Sequence, residues 1–157
     1  GEGQLEEVKK YEIIKIKEAL IAKYGDAAPK LLFIVVTKRI SDRFAINTER
    51  GLSNPVGGLL ICDDVVKADR ANFFLVAQKV TQGTATPTHY EVVYNDTDIK
   101  FEYLTDLTYQ LTFTYTNWTG AVKVPGVVQH AHKLAGLIGI TQDDVIDPKL
   151  MHTRHHL

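Results

Sequence analysis

Residues Gln82 to Tyr90 read Gln-Gly-Thr-Ala-Thr-Pro-Thr-His-Tyr. The string sits between two runs with strand character, 73–80 and 90–94. Glycine, proline and three threonines suit a polar connection between strands, because glycine supplies positive φ and proline presets its own. By itself the stretch is a turn. It becomes informative through the segments that follow it in order: Leu107-Thr108-Tyr109-Gln110-Leu111, Tyr115-Thr116-Asn117-Trp118-Thr119-Gly120, Val124-Pro125, and His130-Ala131-His132-Lys133-Leu134-Ala135.

The pattern around these segments predicts an alternation of helices and strands. Ile13, Ile16, Leu20 and Tyr24 recur at three- and four-residue spacing, predicting a helix over 4–24 with one apolar face, ended by Gly25. Leu31-Leu32-Phe33-Ile34-Val35-Val36 is apolar without alternation, as in a strand covered on both faces. A loop is expected over 40–57, then strands over 58–66, 73–80 and 90–94. Leu104, Leu107, Leu111 and Tyr115 place a helix over 102–116. A further helix is expected over 127–138, with a short helical turn over 143–150. The order helix, strand, loop, strands, helix, helix gives an α/β class with packed helices.

These segments together resemble the C-terminal end of the Piwi domain of the Argonaute/Piwi family, with the Asn-Trp-x-Gly-x-x-x-Val-Pro and His-Lys-Leu-Ala runs nearer the Piwi branch. Gly1-Glu2-Gly3-Gln4 resembles the stretch that follows a family aspartate by three residues, and Phe33-Ile34-Val35-Val36-Thr37-Lys38-Arg39 resembles the next core strand and its basic end. Asp63-Asp64-Val65-Val66 and Asn72-Phe73-Phe74-Leu75 resemble the strand pair after it. The resemblance covers nearly the whole chain. It implies an α/β fold that is the C-terminal half of an RNase-H-like (Piwi) domain, a mixed sheet flanked by helices, with residues 1–157 as a single, incomplete domain. It also implies a small-RNA-guided RNA-binding and silencing protein, some of whose relatives cut target RNA.

The same resemblance assigns candidate residues. The family cuts RNA with metal-bound acidic residues and a final His or Asp, and His132 falls at that last position, as catalytic residue and metal ligand. Paired divalent ions, Mg2+ or Mn2+, would activate water and steady the leaving oxygen. A lone histidine on a helix is otherwise a surface residue, since one imidazole carries little site information. The family's other carboxylates lie upstream of this chain, which is therefore expected to be inert alone. Asp63 and Asp64 do not replace them, because neighbouring strand residues point to opposite faces. Lys38, Arg39, Tyr115 and Lys123 match positions along the guide backbone, where cations and a phenol hydroxyl would meet phosphates, with Arg43 a weaker addition. For Tyr115 the competing reading is a core residue. His156 and the terminal Leu157 fall near the family's pocket for the guide 5′-phosphate, a role that needs a bridging cation; the competing reading of this His-rich end is a polar tail.

Composition sets bounds on these readings. At 157 residues one domain with a substantial core is expected, and no apolar run approaches the roughly 20 residues that span a bilayer. The only cysteine, Cys62, excludes an internal disulfide framework and suits a reducing compartment, cytoplasmic or nuclear. Net charge is −1, where a free-standing nucleic-acid binder usually carries a basic excess. That balance keeps two alternatives open: a guide-RNA binding scaffold that does not cleave, and an α/β module that packs on a protein partner. The expected partners are a small guide RNA, a target RNA and the remainder of the parent protein, with no membrane.

Overall fold

The computed structural model describes residues 7–63, 65, 66, 70–141, 147–149 and 153. A wide π-type turn, Val8–Glu12, leads into helix α1, Ile13–Tyr24. Gly25 ends it at φ 57°, a left-handed conformation that favours glycine, with its N–H on the Ile21 carbonyl. Of the apolar face expected on this helix, Ile13 is buried, while Ile16 and Tyr24 are exposed. The chain then forms strands β1 (Leu32–Thr37), β2 (Ile46–Thr48), β3 (Gly51–Ser53), β4 (Leu59–Ile61), β5 (Asn72–Val76) and β6 (Thr88–Asn95). Helices α2 (Phe101–Leu111) and α3 (Gly126–Thr141) complete it.

Four strands make one sheet in the order β1-β6-β5-β4, every described pairing antiparallel. Register pairs Val36 with Tyr90 and Phe73 with Tyr90. One face carries the core: Phe73, Leu75, Ala77 and Tyr90, packed against Ile34, Val36, Leu60, Phe101 and Tyr109. The Phe73 ring stacks on Tyr90 at 4.9 Å and meets Phe101 edge-on at 5.8 Å. The opposite face is polar at one end. There Arg70 Nη1 lies 2.8 Å from Glu91 Oε1, and His89 hydrogen-bonds Asn72 and stacks on Phe74.

Several boundaries differ from the sequence expectation, each for a local reason. The helix expected to reach residue 116 stops at Leu111. Thr112 and Thr114 turn their hydroxyls onto the Tyr109 and Leu111 carbonyls (2.6 and 2.7 Å), and Thr112 N–H closes a tighter turn on Tyr109 O. Such hydroxyls compete with the helical ladder. The run 58–66 is a strand only over Leu59–Ile61, and that over 73–80 only over Asn72–Val76. The expected loop 40–57 contains the β2–β3 hairpin, every residue of which is exposed. The expected turn over 143–150 falls outside the described residues apart from 147–149.

A polar staple joins α1 to the sheet. Lys17 Nζ donates to Tyr94 Oη (2.5 Å), Tyr94 donates to Asp96 Oδ2 (3.0 Å), and Leu31 N–H donates to Asp96 Oδ1 (2.5 Å). The Leu31 amide, with the Tyr94 hydroxyl and Lys17 behind it, holds the Asp96 carboxyl below its ordinary value of 3.8. A carboxylate depressed on folding contributes stability above its unfolded pKa and loses it as pH falls through the folded value. Asp96→Asn is therefore expected to lower the urea midpoint at about pH 7, and the gap to wild type should close below about pH 4. A gap that persists in acid would show that the staple acts without its charge.

Candidate nucleic-acid interface

The Gln82–Tyr90 string is held by a residue far from it in sequence. Asn54 Nδ2 donates to the carbonyls of Val80 (3.2 Å) and Gly83 (2.7 Å), and its Oδ1 accepts from Ala85 N–H (2.9 Å). Gly83 takes φ 78° inside this clamp, and Pro87 behind it is fully buried. The string then enters β6, where Thr88 Oγ1 donates to the Lys123 carbonyl (3.2 Å). A small cavity of about 210 Å³ opens between Gln78, Thr84, Thr86 and Lys123. Asn54 falls inside the loop expected over 40–57, and a side-chain clamp across some thirty residues leaves no local signature.

Lys123 connects this string to the end of β1. Its Nζ donates to the Lys38 carbonyl (2.8 Å), closing an 85-residue separation. Partial burial, together with the charges of Arg43 and Lys38, lowers the Lys123 pKa below its ordinary value. An anion placed among these three cations offsets their repulsion, so the cluster favours phosphate electrostatically. Arg43 bends back onto the Ile40 and Asp42 carbonyls (2.8 and 2.7 Å), fixing its loop.

Lys38, Arg39 and His132 line one cleft of about 490 Å³, floored by Val36 and Thr37. Helix α3 brings exposed His132 across the end of β1, with Arg39 exposed and Lys38 half-buried. Among the described residues no carboxylate lines this cleft. Among the described residues no three His, Cys, Asp or Glu side chains gather closely enough to hold a metal ion. The described residues do not form a metal site on their own.

Tyr115 packs against α3. It is 8% exposed, its ring 5.2 Å from that of His130, with Lys133 Nζ 5.9 Å above it. The tight turn after α2 directs the residue inward, and the ring packs on His130 of α3. His156 and Leu157 lie outside the described residues. Gly126 sets the same joint: a Cβ there would sit 2.8 Å from Thr114 C and 2.9 Å from Tyr115 N. Both are backbone atoms, which cannot turn aside. Gly126→Ala is expected to cost about 1–3 kcal/mol by overpacking. Gly136→Ala, in open space on the same helix, should instead stabilise by about 0.5–1 kcal/mol. Thermal melts of the two variants moving in the same direction would refute this packing account.

The Piwi domain family matches residues 1–142. This chain belongs to the Piwi domain family. It is 41% identical over 139 residues to Piwi-like protein Ago3 of Bombyx mori, covering 88% of this chain and 15% of the relative. Its fold matches the crystal structure of Drosophila Piwi with a TM-score of 0.89 at 34% identity, over 100% of this chain and 22% of that one. A Kluyveromyces polysporus Argonaute solved with a guide RNA shares the fold at a TM-score of 0.77 and 20% identity, over 98% of this chain and 22% of that one. The chain thus spans about a sixth of the length of the curated relatives it matches. Among the described residues no helix is long and apolar enough to cross a membrane.

Proposed function

We propose that residues 1–157 form the C-terminal portion of a Piwi domain that grips the backbone of a small guide RNA within a silencing protein of the cytoplasm or nucleus. The observation that carries this reading is the convergence of Lys38, Arg39 and His132 on one cleft, with Lys123 fastened to the Lys38 carbonyl behind it. The charges of Lys38 and Arg39 line that cleft, with Lys123 near enough to Lys38 to feel its charge, although the chain as a whole is slightly negative, and local charge rather than net charge is what a phosphate meets. The Argonaute that shares this fold was solved with a guide RNA, which supports the same ligand class. Base pairing between guide and target would supply sequence choice, while the protein contacts position the backbone.

In this reading Lys38, Arg39 and Lys123 neutralise guide phosphates, and Tyr115 holds α3 in place. His132 faces the reacting phosphodiester of the target. The remaining ligands for Mg2+ or Mn2+ belong to the parent protein outside this chain. Target-cleavage and filter-binding assays on the full-length parent with magnesium test the assignment. His132→Ala is expected to abolish cutting at the single phosphodiester while leaving guide affinity within about twofold, the signature of an interaction made only in the transition state. A wild-type parent that binds guide and leaves the target intact would instead establish the non-cleaving scaffold. A parent with no affinity for guide RNA would overturn both.

A further inference from the structure

The loop after β1 reads Lys38-Arg39-Ile40-Ser41-Asp42-Arg43, with basic residues two and three positions before a serine. Serine kinases that select substrates by charge read this arrangement, meeting the two cations with carboxylates of their own. Residues 38–45 are irregular, and Ser41 is exposed. The loop is fixed on both sides of it. Arg43 Nη1 donates to the carbonyls of Ile40 (2.8 Å) and Asp42 (2.7 Å), the residues that flank Ser41. Phe44 then packs edge-on against Phe74 of β5, with ring centroids 5.4 Å apart. The chain's other serine, Ser53, follows a single cation, Arg50, by three residues. It lies in β3 paired with Ile46, its hydroxyl on the Ile46 carbonyl (3.5 Å).

The charges around Ser41 decide what a phosphate there would do. Burial, and then the charges of Arg43 and Lys38, lower the Lys123 pKa, so these three cations lie within electrostatic range of one another. Lys38 and Arg39 also line the cleft with His132. Asp42 is the one carboxylate between residues 38 and 45, and the cations outnumber it. A phosphoserine carries about −1.5 to −2 charge at pH 7 and three acceptor oxygens. Attached to Ser41, it is tethered beside the Arg43 guanidinium and meets the cluster at high effective concentration. Charge-assisted bonds of this kind, guanidinium or ammonium to phosphate, are the strong ones.

We propose that Ser41 is a phosphoacceptor for a serine kinase that reads basic residues, and that its phosphate occupies the Lys38, Arg43 and Lys123 cluster in place of a guide phosphate. In the transfer the Ser41 oxygen bonds the γ-phosphorus of ATP as the bond to ADP breaks, and the hydroxyl proton passes to a base of the kinase. Phosphorylation and guide binding then exclude each other. A bound guide covers the cations that flank Ser41, and a phosphate on Ser41 neutralises the cations that the guide needs. The displaced ligand rests on the guide-binding reading above; the pairing of the phosphate with the cluster does not.

The test treats the full-length parent, guide-free and guide-loaded, with ATP and the catalytic subunit of cAMP-dependent protein kinase, a kinase of this class. Peptide mass spectrometry is expected to place a phosphate on Ser41 of the guide-free protein and to find it several-fold lower in the loaded one. Phosphate on Ser53 alone, or none on Ser41, would overturn the proposal. In filter binding the phosphorylated wild type should hold guide RNA about tenfold more weakly, the loss of one charge-assisted contact, while Ser41→Ala treated in parallel keeps the untreated affinity. Equal affinities with Ser41 fully phosphorylated would refute the displacement. Phosphorus NMR reads the pairing without any guide. The cations should hold the second pKa of the phosphoserine below its ordinary value of about 6, and Arg43→Ala should move it back towards that value. An unshifted wild-type value would refute the pairing. A parent with no affinity for guide RNA would end the guide-binding reading and the displacement with it, and a depressed phosphate pKa would still establish the contact with the cluster.

Discussion

Replacing Phe73 with alanine is expected to destabilise the domain by about 3–5 kcal/mol, the range for truncating a large aromatic in a closed core. Phe73 is fully buried, stacked on Tyr90 and capped edge-on by Phe101, so three elements meet on one ring. The neighbours cannot collapse into the space easily. Tyr90 is fixed in register with Val36 and Phe73 by strand pairing, and Phe101 is tied to the first turn of α2. Set against a total stability of about 5–15 kcal/mol, the loss is a large fraction, and for a domain of this size it lowers Tm by roughly 6–20 °C. Phe73→Leu keeps most of the volume and should cost less than half as much. Equal urea midpoints for the two variants would show that the site relaxes freely and that this cluster is not the core's rigid centre.

The elements of that core were legible where hydrophobic pattern and burial coincide. The apolar run at 31–36 became β1, half-buried rather than covered on both faces, and the spacing of Leu104, Leu107 and Leu111 marked α2, whose buried residues are Leu104, Thr105 and Thr108. Pattern misled where polar side chains took over backbone hydrogen bonds. Tyr115 continues the α2 spacing by four residues, but threonine hydroxyls end the helix first. The β2–β3 hairpin has no alternation to find, since no residue in it is buried; only Gly51, at φ 104°, marks its turn. The candidate site was not legible from spacing at all. Lys38, Lys123 and His132 are separated by 85 and 9 residues, and only a resemblance that fixes the whole fold brings them together. Asn54, the clamp on the 82–90 string, escaped even that, because its partners are backbone atoms that carry no sequence signal.

The double substitution Lys38→Ala, Arg39→Ala in the full-length parent should weaken guide-RNA binding by about 100-fold at low salt, if each side chain makes one charge-assisted phosphate contact of roughly 1.5 kcal/mol. Affinity alone does not separate a phosphate contact from a damaged fold. The salt dependence does, because each neutralised phosphate of a single strand releases about 0.7 of a counterion. Losing two contacts should therefore flatten the slope of log affinity against log salt by about 1.4, so that variant and wild type converge as salt rises. Unfolding would lower affinity at every salt concentration without that convergence. Lys15→Ala provides the reference: its side chain is 77% exposed on α1 and paired with Glu18, and its removal should leave the slope unchanged. Both side chains stand at the open end of β1, and only Lys38 contributes a carbonyl to the Lys123 bond, which alanine retains. The substitutions thus remove charge without removing the local framework. An unchanged slope would detach the cleft from nucleic acid and favour a surface that packs on a protein partner.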